Sequence, residues 1–510
     1  MLNKKPFLIL TTFLVGMCSI IYELLISTAS SYFLGNSVKQ FSLIIGFYMA
    51  FMGVGAYVSK IFKDNLIYNF VVIELLLGLV GAFSVPLCYG YFLYADYEGY
   101  NLFVFFIISI IGILTGLEVP LLTRILEDDY SLKDNISTIL TFDYLGALIA
   151  TILFPFFLLP FVGIYKSSLL FGLLNILVGI ATFIFFQKEI ALPKLKKRIF
   201  FLISAILISI IVYSIAVSTS FMKRWNDGIF KHQVIYNKQS SYQDITLTKN
   251  ANEFRLYLNG AIQFSSRDEY RYHESLVHLA MMQHPHPKKI LLLGGGEGLA
   301  AREILKYDVE KIEIVDIDPA ITQLSTEMDL IKKLNGGALE SKKVTVINED
   351  AFKFLLEKNE TYDVIIGDLP DPNSESIAKL YSNAFYKLVL RNLSPEGLFV
   401  TQATSSTLTP NAFWCIDATL ASVGFQYRYP YSINVPSFGN WGFILASRNE
   451  LQLKYNNTIT TKYLEEEMLE HLFYFPKDVR VGDVLPNNLD QPILLEYYLE
   501  HWRSLNNEAK

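Results

Sequence analysis

The stretch KKILLLGGGEGLAAREILKY (288–307) decides the fold. An apolar run of strand length enters a glycine turn, and the residues beyond the turn open a helix. The cycle then repeats. KIEIVDID (311–318) leads into PAITQLSTEM, and KVTVINED (343–350) leads into AFKFLLEK. YDVIIGDLPDP (362–372) is a fourth strand with an acidic loop at its carboxyl end, and GLFVTQATSS (397–406) is a fifth. Strands alternating with helices specify a parallel, doubly wound, Rossmann-like α/β sheet. In such sheets ligands bind beyond the carboxyl ends of the strands. Upstream, residues 234–264 alternate apolar and polar in short β-rich pieces, with Asn259-Gly260 as a hairpin signal. RDEYRYHESLVHLAMM (267–282) reads as the helix linking this small β-subdomain to the sheet.

Further outward the composition changes. Residues 1–220 carry 25 charged side chains, whereas residues 221–510 carry 67 and all seven histidines. The first part has seven apolar runs long enough to cross a bilayer: 7–33, 41–62, 66–94, 101–123, 137–161, 166–187 and 199–218. Gly53, Gly55, Pro155 and Pro160 lie within them, where small residues favour close helix packing. Four domains result: a multi-span membrane part (1–220), a β-hairpin subdomain with its linking helix (221–287), the α/β part (288–447) and a helical tail (448–510). The net charge of −6 excludes nucleic acid and suits a small cationic ligand. Cys18, Cys88 and Cys415 have neither CxxC spacing nor a disulfide framework, so no metal site is expected.

Lys and Arg gather at the N-terminus (Lys4, Lys5) and in alternate loops (Lys60 and Lys63; Arg124 and Lys133; Lys188, Lys194, Lys196, Lys197 and Arg198). That bias sets the N-terminus in the cytoplasm, and seven spans then put the soluble part outside. Glu23, Glu74, Glu118 and Asp143 fall within the runs. Each costs ~2.5–3.5 kcal/mol on insertion scales, so they mark either a path for a cation or polar contacts that fix helix packing.

The strand ends carry the chemistry. A glycine loop with Gly294 and Gly296, and Asp316 ending the second strand, form a nucleoside-binding arrangement open to dinucleotides and adenosyl-sulfonium compounds alike. Glu297 in the loop would repel a pyrophosphate but attract a sulfonium or ammonium, which favours the second. Asp350, ending the third strand, can accept an adenine amino group. Asp368 and Asp371, stiffened by Pro370 and Pro372, suit a polyammonium substrate, and one of them can take a proton from an attacking amine. The alternative for these two acids is capping of the next helix.

From Tyr242 to about Ser447 these motifs, in order, resemble the spermidine synthase (polyamine aminopropyltransferase) family. They are YQDI (242–245), LNGAIQ (258–263), RDEYRYHE (267–274), GGGEG (294–298), VDID (315–318), EDAF (349–352), DLPDP (368–372), YSNAFY (381–386) and TQATSS (401–406). With seven preceding spans, the chain looks like a membrane-bound branch of that family. The resemblance implies aminopropyl transfer from decarboxylated S-adenosylmethionine, as co-substrate, to a di- or polyamine such as putrescine, releasing 5′-methylthioadenosine without a prosthetic group. By the same resemblance Gln243 and Asp316 hold the adenosine and ribose, with Asp350 and Ala351 at the adenine. His273 and Glu297 meet the amine groups, and Tyr272 lines the acceptor. Asp368 accepts the proton, Asp371 grips the distal ammonium, and Gln402 lines the channel. Small amines, a lipid bilayer and further copies of the chain (a dimer or tetramer) are the implied partners.

The chain departs from the family pattern at Glu297, at Asn259, after DLPDP, and in NVPSFGNWGF (434–443), where Phe438 or Trp441 stands in for a tyrosine. The co-substrate is cytoplasmic, so the resemblance turns the catalytic part inward, against the loop charges. Discounting 137–161, interrupted by Pro155 and Pro160, reconciles the two. The competing functions are a polyamine transporter or sensor with an attached binding domain, a methyltransferase on the same scaffold, and a catalytically dead binding module.

Overall fold

The computed structural model describes residues 4–508 except 36, 96, 127–131, 191 and 231. The chain divides into two compact units, Met1–Asn226 and Asp227–Lys510.

The first unit is helical: α1 Lys4–Leu34, α2 Ser37–Val58, α3 Leu66–Phe92, α4 Tyr97–Ile125, α5 Leu132–Leu153, α6 Ile164–Phe185 and α7 Lys194–Ile229. Among the described residues, seven helices are long and apolar enough to cross a membrane. Glycines set the closest approaches. A Cβ at Gly55 on α2 would lie 2.1 Å from the Ile113 carbonyl oxygen of α4, and one at Gly116 2.1 Å from that of Met52. Gly53, by contrast, faces open space. The run 137–161 is helical through both prolines. Phe154–Val162 widens into π-helical turns continuous with α5, and Gly163 N–H reaches back five residues to Leu158 O at 2.8 Å. The wider register tolerates the missing proline N–H groups.

The second unit opens with a four-stranded antiparallel sheet in the order β1 (Gln233–Gln239), β2 (Asp244–Lys249), β3 (Phe254–Leu258), β4 (Ala261–Ser265). Asn259 (φ 49°) and Gly260 (φ 79°) are both left-handed, as a two-residue hairpin turn requires. Helix α8 (Glu269–Met281) follows. The main sheet comprises β5 (Lys289–Gly294), β6 (Lys311–Val315), β7 (Val344–Ile347), β8 (Tyr362–Asp368), β9 (Leu393–Gln402), β10 (Tyr427–Val435) and β11 (Gly439–Ser447). Their spatial order is β10-β11-β9-β8-β5-β6-β7.

β5 to β9 are parallel, as their alternation with helices implies. β11 and β10 are antiparallel additions, so the sheet is mixed rather than wholly parallel. Their sequence hides them. β10 carries Pro430, which a sheet accepts only where its missing N–H costs nothing, and β10 is the edge strand. Along β5, Ile290 and Leu292 pack into one apolar layer while Leu291 and Leu293 pack into the other. Helices therefore cover both faces, and the strand ends are left for ligands. Beyond Ser447 the chain is mostly irregular. YLEEEMLEH forms only short turns at Glu466–Met468 and Leu469–Leu472, and the one long tail helix described is Ile493–Glu508.

Candidate active site

Pairing of β5 with β8 sets Gly294 beside Asp368, and a Cβ on Gly294 would lie 2.0 Å from the Asp368 carbonyl oxygen. Only glycine fits there, and its φ of 83° is also one that glycine adopts without strain. Gly296 donates its N–H to Asp316 Oδ2 at 3.0 Å, and a Cβ there would lie 2.5 Å from that oxygen. The glycines thus bring two strand-end carboxylates against one loop.

On one side Asp316 and Asp350 are carboxylates held by the protein. Asp316 also accepts the Asp318 N–H at 2.9 Å, and burial pushes it up to about 6 despite these bonds. Gln243 donates to Asp318 Oδ2 at 2.9 Å, fastening the β-subdomain to the loop after β6. Asp350 caps the helix Ala351–Glu357, accepting from Phe352 N (2.8 Å) and Lys353 N (3.1 Å). Its other oxygen accepts from Lys379 at 2.6 Å. Burial favours the neutral acid, but the Lys379 and backbone bonds outweigh it and hold Asp350 below its ordinary range. Both Asp350 oxygens therefore have partners within the protein. Ala351, buried, is the first residue of that helix.

The other side differs. Tyr272 on α8 donates to Asp368 Oδ1 at 2.8 Å, while Oδ2 is buried without a hydrogen-bond partner. Burial, then the nearby Glu297 carboxylate, push Asp368 up to about 7. Asp371 repeats the pattern: Tyr498, from the tail helix, donates to Oδ2 at 2.9 Å and Oδ1 is buried without a partner. Burial pushes Asp371 up to about 6. Among the described residues neither acid caps a helix; Ser374 occupies the N-cap position of the next one.

His273 joins this group. One ligand atom each from His273, Glu297 and Asp368 lie within 4.8 Å of one another, a spacing that can hold an ammonium or a metal cation. His273 Nδ1 lies 2.8 Å from Glu269 O and 2.9 Å from Glu269 Oε2, and Nε2 lies 3.5 Å from Glu297 Oε1. Burial disfavours the imidazolium, yet bonds to Glu269 and Glu297 overcome it and raise His273 to about 10. Glu269 is itself clamped by both terminal nitrogens of Arg302, at 2.9 and 3.0 Å.

Gln402 is a brace. Its amide donates to Leu369 O at 2.8 Å and to the Tyr381 hydroxyl, and its carbonyl accepts Thr404 N at 2.8 Å. Tyr381 in turn donates to Pro370 O at 2.9 Å, so Gln402 fixes the acidic loop from beneath. Thr404, β-branched at φ 61°, stores strain beside it. Asp268 takes both donors of Ser437 at 2.7 Å, which fastens the β10–β11 turn to the start of α8. Phe438 there packs edge-on to Tyr272 and against Trp441, whose indole N–H is buried without a partner.

The site thus gathers Tyr272, His273, Glu297 and Asp368, with Asp371 and Gln402 on the adjoining loop. Gln243, Asp316 and Asp350 meet the protein first. Sequence reasoning missed Glu269, Arg302, Lys379, Tyr381 and Tyr498. Glu269 carried a signal, four residues before His273 on one helix face, and Tyr381 opens the YSNAFY motif.

Residues 269–457 match the family model for the spermine/spermidine synthase domain. The polyamine aminopropyltransferase of Leptospira interrogans is 42% identical, over 98% of this chain and 99% of its own. That of Oceanobacillus iheyensis is 39% identical over 96% of each. A crystal structure of spermidine synthase from Thermotoga maritima is 24% identical, covering 48% of this chain and 86% of its own with a TM-score of 0.42. Near-full-length identity at this level, together with a rim of carboxylates of which Asp368 and Asp371 each leave one oxygen unpartnered, leads to one assignment: the chain belongs to the polyamine aminopropyltransferase family.

Proposed function

We propose that this chain transfers the aminopropyl group of decarboxylated S-adenosylmethionine to putrescine, releasing 5′-methylthioadenosine. The observation that carries the reading is Asp368 Oδ2, buried and unpartnered at the mouth of the glycine loop. A protonated amine has no lone pair, so the acceptor nitrogen must lose a proton to attack. Asp368 orients that nitrogen and takes its proton. The nitrogen bonds to the aminopropyl carbon next to sulfur, the carbon–sulfur bond breaks, and its electron pair neutralises the sulfonium. The protein's main task is alignment, since a sulfonium is already a good electrophile. Gly294, Gly296, Asp316, Gln243, Asp350 and Ala351 surround the adenosine. Asp350 exchanges Lys379 for the adenine amino group. Glu297, beside His273, holds the ammonium of the aminopropyl arm. The free oxygen of Asp371 takes the distal ammonium of the acceptor, with Tyr272, Phe438 and Trp441 along its methylenes.

In this reading the helical unit is embedded in the cell membrane, the catalytic unit faces the cytoplasm, and the chain works as a homo-oligomer. The cytoplasmic origin of the co-substrate supports the inward orientation, while the loop charges over seven spans oppose it. A C-terminal reporter active only outside the cell would overturn the orientation. For the reaction, purified protein is incubated with decarboxylated S-adenosylmethionine and a panel of amines, and the products are resolved by mass. Equal amounts of spermidine and 5′-methylthioadenosine from putrescine are expected. A methylated amine with S-adenosylhomocysteine, formed from S-adenosylmethionine instead, would sink the proposal.

A further inference from the structure

The helical unit contains a polar centre for which aminopropyl transfer has no use. Glu74 on α3 and Asn175 on α6 are fully buried, and Glu118 on α4 is 1% exposed. Asn175 Nδ2 donates to Glu74 Oε2 at 3.1 Å, and the Glu74 and Glu118 carboxyls lie within hydrogen-bonding reach of each other. Three acceptor oxygens remain buried with no donor: Glu74 Oε1, Glu118 Oε1 and Asn175 Oδ1. The Tyr22 hydroxyl of α1, also buried and without a partner, interacts electrostatically with both carboxyls. Among the described residues no lysine, arginine or histidine forms an ion pair with either acid.

Glu23 and Asp143, the other acids in the apolar runs, are only half-buried and so keep some access to the surroundings. Glu74 and Glu118 have no such outlet. A helix packing contact needs matched donors and acceptors, since an unsatisfied buried oxygen costs about 1–3 kcal/mol. Here acceptors outnumber donors, and two of the three belong to carboxyl groups. The Tyr22 hydroxyl and a proton between the carboxyls fill part of this deficit, and a cation is the further donor that two carboxyls favour. A primary ammonium supplies three N–H donors and one charge, more than that hydroxyl and shared proton can give.

We propose that Glu74, Glu118 and Asn175 form a second amine site, inside the helical unit, that takes the primary ammonium group of a small aliphatic amine. The site gives this unit a ligand chemistry of its own, independent of the reaction at the sheet rim.

Equilibrium dialysis of the full chain in detergent against radiolabelled putrescine tests the site. E74Q/E118Q is expected to bind one equivalent fewer than the wild-type chain while aminopropyl transfer stays within about twofold. The difference of one equivalent is the readout whatever the rim binds, so failure of the proposed reaction cannot imitate failure of this site. An unchanged stoichiometry overturns it. A second measurement uses the unmutated protein, in case the double variant does not fold. Dicyclohexylcarbodiimide, an apolar carboxyl reagent, is expected to label Glu74 or Glu118, and saturating putrescine to slow that labelling at least fivefold. Labelling at the same rate with and without putrescine contradicts the proposal.

Discussion

The two sides of the crevice at the sheet rim use the same residue type in opposite ways. On the side proposed to face the nucleoside, with the other proposed to face the amine, Asp316 and Asp350 spend their oxygens on backbone N–H groups and Lys379. Toward the amine, Asp368 and Asp371 each give one oxygen to a tyrosine and leave the other buried and unpaired. A carboxylate with both oxygens engaged shapes a pocket. One with an unsatisfied oxygen is costly to maintain, and it can accept a proton or a cation that arrives with substrate. The contrast separates carboxylates that shape the pocket from those left open to substrate, and each prediction below attacks one side of it.

The largest effect is expected from Asp368→Asn, which removes the unpaired base. Turnover falls by ~10²–10⁴, the usual range for general-base loss, with co-substrate affinity measured by calorimetry largely kept. Next comes Glu269→Gln. His273 stays an imidazolium up to about 10 because Glu269 and Glu297 offset its burial. Without the Glu269 charge it deprotonates nearer its ordinary value, so the positive partner of Glu297 is lost as pH rises through neutrality. Relative to wild type, kcat/KM then falls by roughly tenfold near pH 8, as a drop of about three pKa units toward the ordinary histidine value requires, and the deficit closes toward acid. A profile parallel to wild type would assign Glu269 to folding alone.

Tyr498→Phe tests the acceptor side more gently. Deleting a hydrogen bond to an ionised carboxylate costs ~1.5–3 kcal/mol, most of it felt in the free protein as well as in the complex. The rest is expected in KM for the diamine, about 2–10-fold, with kcat unchanged. A fall in kcat alone would move Asp371 from grip to chemistry. The smallest effect belongs to Lys379→Met on the nucleoside side, where a half-exposed ion pair is worth at most about 1 kcal/mol. Asp350 is held below its ordinary range, so the pair stabilises the fold above the unfolded carboxylate value, and the contribution disappears as pH falls through the folded one. Denaturant midpoints of the two proteins should therefore differ at pH 7 and converge in acid, once the folded carboxyl is protonated. Divergence at low pH would refute the linkage.

Much of this was legible in the sequence. Local alternation of strand and helix, the Gly294–Gly298 loop and the acids at the ends of β6, β7 and β8 fix the parallel core and the rim, because each signal spans only a few residues. What escaped depends on chain that returns from far away. β10 and β11 pair antiparallel with β9 through contacts no local pattern announces, and Pro430 disguises β10. Tyr498 reaches Asp371 across 127 positions of sequence. Lys379 on Asp350 and the brace formed by Gln402 and Tyr381 depend likewise on tertiary placement. In the helical unit, length and hydropathy located the helices, while the meeting of Glu74, Glu118 and Asn175 followed only from how those helices pack.

The central claim is that the unpaired oxygen of Asp368 takes the proton of the attacking amine. Its most direct test is the pH dependence of kcat/KM for putrescine in wild type and Asp368→Asn. With Asp368 raised to about 7, the wild-type rate climbs with pH through neutrality as the carboxyl ionises. The variant should lose that limb together with the rate. An acidic limb that persists unchanged in Asp368→Asn would contradict the account.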